Sequence, residues 1–129
     1  MHASPASDVL RVSVALLALG AAQDTTARTL PDTAAIPSAW VDAGRAIFHG
    51  RGGCVVCHGG RLEGTPVAPT LRAHAWKDAK DGRLEAIYYV ITHGVSGTAM
   101  VSHPGGISDA DAARVATYIW SVSHHGAAP

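Results

Sequence analysis

The sequence predicts an all-α domain of three main helices joined by long loops. Apolar residues recur at helical spacing in three stretches, glycine and proline separate those stretches, and no alternating pattern of strand length occurs. With 129 residues the chain holds one domain at most. Lys and Arg number 10, Asp and Glu also 10, and charged residues are only 16% of the chain. A nucleic-acid binder needs a dense basic face to displace counterions from phosphates, so that class is excluded. The 47% apolar content argues against disorder.

Residues 9–22 read VLRVSVALLALGAA. The run is too short for a membrane-spanning helix, which needs about 20 apolar residues. It has the layout of a secretory signal: Arg11, an apolar stretch, then Gly20-Ala21-Ala22 as a small-residue cleavage site. Residues 1–22 are therefore expected to be a signal peptide, which implies export to the periplasm. A buried amino-terminal helix or an uncleaved anchor fits less well. Residues 23–37 are rich in Thr, Ala, Asp and Pro without periodicity and read as a flexible linker. The folded part is expected at 38–125. So small a domain often needs a staple such as a metal, a disulfide or a cofactor.

The first helix is expected over 38–49, with Ser38 as its cap and Asp42 in its first turn. Gly44 and Phe48 share one face; Ala43, Ala46 and Ile47 lie on the next. Gly50, Gly52 and Gly53 end the helix, and 59–81 reads as loop. Leu84, Ile87, Tyr88 and Ile91 follow the i, i+3, i+4, i+7 pattern of a second helix over 82–93, with Asp81 as cap and Gly94 as stop. A glycine-rich loop covers 94–106. Ser108 and Asp111 then form a capping box, with Asp in place of the usual Glu. Ala112, Val115, Ile119 and Val122 stripe a third, long helix ending near Ser123. Long loops in a small domain require something else to organise them.

Cys54-Val55-Val56-Cys57-His58 supplies that organiser. In C-x-x-C-H, two thiols on one helical turn add across the vinyl groups of a haem, and the adjoining imidazole ligates the iron. A structural zinc site needs about four ligands, and no second pair follows at usable spacing. A thioredoxin-like pair expects a preceding strand, whereas this motif follows a helix and two glycines. A disulfide here closes only a tiny loop. The reading is one covalently bound haem c, with His58 on one iron face.

The second axial ligand lies further along the chain. The candidates are Met100 and the histidines His49, His74, His93, His103, His124 and His125. Met100 is the only internal methionine and sits in a glycine-bearing loop able to reach over a haem. His103, three residues on, is its chief competitor.

On these residues the chain resembles the class I c-type cytochromes, over essentially the whole folded part. The resemblance implies a small cytochrome c-like fold, with three main helices and long loops wrapped around the haem. Gly44 and Phe48 resemble the small and aromatic pair by which the first helix crosses the last, and Tyr118 the aromatic that meets them. Cys54, Cys57 and His58 match the attachment site. Pro69 resembles the proline whose carbonyl receives the haem histidine's ring N–H. Met100 resembles the sixth ligand, though Val101 stands where the family commonly has proline. The implied function is a periplasmic single-haem electron carrier, not an enzyme, serving transient redox partners as a shuttle or as a small subunit of an oxidase or dehydrogenase. No transmembrane segment is expected in the mature chain.

The alternative is a haem enzyme or gas sensor with an open sixth iron site, which requires Met100 to be absent or labile. Trp76 reads either as a donor to a haem propionate or as an aromatic cap on the pocket. Arg72 reads as a propionate partner or as an exposed charge. Arg45, Arg51, Arg61 and Arg72 cluster in sequence around the motif and read either as a basic docking rim or as solvated charges. Trp40 and Trp120 read as packing residues.

Overall fold

The computed structural model describes residues 30–72 and 76–129. The signal peptide expected at 1–22, most of the linker and His74 lie outside them. Among the described residues there are four α-helices: α1 (Ser38–His49), α2 (Cys54–His58), α3 (Leu84–His93) and α4 (Asp109–His125). Two 3₁₀ turns, Lys80–Gly82 and Pro104–Gly106, precede α3 and α4. Among the described residues there is no strand, only one isolated bridge between Thr65 and Ala68. The three long helices match the expectation; α2 is the attachment motif itself, wound into a single turn.

The core is the crossing of α1 and α4. Gly44 is buried because a side chain there would strike the Arg114 backbone and Tyr118. With no Cβ, it lets the two helices touch. Phe48 and Tyr118 are both fully buried and meet edge to face, ring centroids 5.5 Å apart. Val115, Ala116 and Ile119 of α4 and Leu84, Ile87 and Ile91 of α3 complete the cluster. Arg114 lies over the ring of half-buried Trp40, 5.4 Å from its centroid. Trp120 stacks on His124 at 4.7 Å. Both tryptophans pack, as expected.

Helix ends account for most departures. Pro37, not Ser38, stands at the α1 cap position, and no side chain caps the helix; Asp42 lies beyond the first turn and faces Arg45 at 3.9 Å. Asp81 does not cap α3. Asp81 and Gly82 both have positive φ, 53° and 64°, which a right-handed helix cannot hold, so α3 starts two residues later. At Gly82 the missing Cβ makes room for the Trp76 indole. At α4 the capping box forms as expected: Ser108 Oγ accepts from the Asp111 N–H, and Asp111 accepts from the Ser108 N–H. The helix runs two residues past Ser123 and stops at Gly126, where φ is 62°.

Candidate haem site

The attachment turn is held from both ends. Gly53, with φ of 63°, leads into α2, and the Gly59 N–H bonds to the Val55 carbonyl as the helix stops. Cys54 and Cys57 therefore lie one turn apart. Both thiols are free and half-buried. Burial pushes the Cys54 thiol above its ordinary value. The Thr65 hydroxyl donates to the Cys57 carbonyl at 2.7 Å and pins the following loop to the turn. Sequence reasoning missed Thr65, since a lone threonine eight residues on carries no signal.

His58 follows at the end of α2, and its Nδ1 lies 3.0 Å from the Pro69 carbonyl oxygen. A carbonyl only accepts, so Nδ1 carries the proton and Nε2 keeps its lone pair. This bond fixes the direction of the ring. Leu62 lets the loop double back to make it. Fully buried, with φ of 59°, Leu62 accepts at its carbonyl from the Leu71 N–H and the Thr70 hydroxyl.

Met100 lies in the loop between α3 and α4, half-buried against the core cluster. Cys54, Val55, Leu71, Trp76, Tyr88 and Val90 are half-buried on the same cluster. Two free thiols one turn apart, followed at once by a histidine whose Nδ1 is engaged and whose Nε2 is left for a metal, have the chemistry that a covalently held haem requires. They fit zinc poorly: among the described residues no group of three His, Cys, Asp or Glu converges.

Among the described residues, the other candidate ligands make contacts elsewhere. The His103 ring lies 2.7 Å from the Asp109 carboxylate. His93 stacks on Tyr89 at 3.9 Å, His49 lies 3.4 Å from the Tyr118 hydroxyl, and His124 and His125 sit against Trp120. Two of the four clustered arginines make contacts within the domain. Arg51 pairs with Asp111 and Arg45 bonds to the Ala128 carbonyl, so both tie α1 and its exit to α4 and the carboxyl terminus. Arg61 and Arg72 alone stay on the loop after α2. There their charges add to backbone N–H groups that hold the Glu63 carboxyl below its ordinary value.

Comparison with known proteins bears on the family and the fold. The family described as Cytochrome C oxidase, cbb3-type, subunit III matches residues 39–119. The chain is 36% identical over 84 residues to cytochrome c6 of Picosynechococcus sp., covering 60% of this chain and 68% of that protein. It is similar in structure to cytochrome c6 of the diatom Phaeodactylum tricornutum: TM-score 0.55 and 29% identity, over 67% of this chain and 97% of that one. Cytochrome cL of Methylophaga aminisulfidivorans aligns with a TM-score of 0.58 at 20% identity, a likeness of fold alone. That alignment covers 67% of this chain but 57% of the longer cytochrome.

Proposed function

The chain belongs to the c-type cytochrome family described as cytochrome c oxidase, cbb3-type, subunit III, and on that premise we propose that it is an exported single-haem electron carrier. Haem c is the cofactor of c-type cytochromes, and the C-x-x-C-H sequence of α2 is its attachment motif. When bound, it supplies a one-electron iron couple. Cys54 and Cys57 hold it through thioethers. His58, through Nε2, and Met100, through its sulfur, would hold the iron, and Pro69 would orient His58. A thioether ligand from Met100 would raise the potential relative to a second histidine.

The observation that carries this reading is the His58–Pro69 contact beside two free thiols, because it leaves one imidazole nitrogen free in a fixed direction. The His103–Asp109 contact supports Met100 over His103 as sixth ligand. If His58 and Met100 both hold the iron, no site would be left for a substrate, which supports a carrier over an enzyme. The signal-like residues 1–22 support a periplasmic location, since attachment of this haem follows export. Among the described residues no helix is long and apolar enough to cross a membrane. Val56, Val67 and Val101 are each more than half exposed, within the attachment turn and in the loops bearing Pro69 and Met100. They support brief docking with redox proteins through an apolar face. A free shuttle and a small subunit of an oxidase or dehydrogenase both fit.

Optical spectra of the exported protein test the proposal. A c-type spectrum that carbon monoxide leaves unchanged is expected. Ready carbon monoxide binding would overturn the closed sixth site, and absence of haem the whole reading. Met100→Ala is expected to open the site and lower the potential; an unchanged spectrum would transfer the role to His103.

A further inference from the structure

We propose that His103 and Asp109 form a latch that positions Met100. The inference rests on Met100 being the sixth ligand. The methionine loop is closed on its own side by local bonds. The Val95 N–H donates to the Met100 carbonyl at 2.9 Å, and the Met100 N–H to the Thr98 hydroxyl at 3.1 Å. These shape the turn but do not attach it to the rest of the molecule. After Met100 the chain has no proline ring to fix it; Val101 follows and is 59% exposed.

Attachment comes at His103. Its backbone N–H donates to the Ile91 carbonyl of α3 at 2.8 Å, and its ring Nε2 lies 2.7 Å from the Asp109 carboxylate in the first turn of α4. One residue thus joins the loop exit to both flanking helices. His103 also has φ of 47°, the left-handed region that a non-glycine residue adopts only at a cost. Such a conformation persists where surrounding contacts over-determine it. These two bonds, with the Gly106 N–H donating to the His103 carbonyl at 2.9 Å, are those contacts, and the one to a carboxylate is the stronger kind and the only one that leaves the backbone. Removing the carboxylate lets His103 relax out of the left-handed region. The chain three residues upstream, where Met100 must stay against the core, then loses its fixed exit. Asp109 is therefore a positioning residue acting through His103. It never touches the iron.

The test uses the full-length exported holoprotein, with carbon monoxide as the probe of an open sixth site. Asp109→Asn and His103→Gln are expected to speed carbon monoxide binding to the reduced form by roughly three- to tenfold, the range for losing one partly exposed charge-assisted bond. Both should also weaken the long-wavelength absorption that marks a thioether on ferric haem. Asp109→Glu, which keeps the carboxylate, should restore both. Met100→Ala sets the fully open limit. If Met100→Ala opens the site while Asp109→Asn and His103→Gln bind carbon monoxide as slowly as the unaltered protein, the latch is overturned and the ligand stands. Lowered melting temperatures without faster binding overturn the latch as well, confining the pair to helix stability. If Met100→Ala leaves the site closed, the ligand assignment falls and the latch with it.

Discussion

Asp111 serves two contacts at the start of α4. It closes the capping box with Ser108, and it receives the Arg51 guanidinium from the segment that leaves α1. Arg51 first, then the Ser108 hydroxyl and N–H, hold its carboxyl down to about 2 against the opposing effect of burial. A carboxyl lowered on folding contributes stability that is present above its unfolded value and is lost as pH falls through its folded value. Acid titration of Arg51→Ala followed by circular dichroism should therefore show unfolding at a higher pH than in the parent. Gly44 is the second residue where one atom decides. A Cβ there meets the Arg114 carbonyl, which is backbone and cannot rotate away. Gly44→Ala should cost about 1–3 kcal/mol in denaturant melts, the range for overpacking. Both positions appear in the sequence as ordinary residue types. The resemblance marked Gly44; nothing local marked the partner of Arg51.

At the scale of elements, helix interiors were legible and helix ends less so. The 3.6-residue spacing of Leu84, Ile87 and Ile91 located α3 because burying one face requires it. The start of α3 escaped because Asp81 and Gly82 turn left-handed to seat Trp76, a contact that no periodicity encodes. The α4 start was legible because a capping box is local, with both partners within four residues. Ser108→Ala should cost about 1 kcal/mol in the same melts. Phe48→Ala removes a fully buried ring from the α1–α4 crossing and should cost about 3–5 kcal/mol, leaving a cavity beside Tyr118.

For the whole molecule, the helices bury a modest cluster with half-buried apolar side chains packed against it, and a covalently bound haem would add the largest apolar group to so small a domain. Replacing both thiols, Cys54→Ala with Cys57→Ala, should leave the exported chain without covalent haem and largely unfolded, read by pigment retained after denaturation and by circular dichroism. The sequence by itself determined the helix faces, the attachment turn and the lone internal methionine. Each of these is carried by residues within a few positions of one another, where spacing and local hydrogen bonding suffice. Spacing could not bring Pro69 to His58; the family resemblance implied that contact, and the fold of the loop makes it. Tertiary structure alone decided that Arg45 bonds to the Ala128 carbonyl, that Arg51 pairs with Asp111, and that His103 faces Asp109. Those contacts join different elements. They exist only once the α1–α4 crossing has set where the loops between them can run.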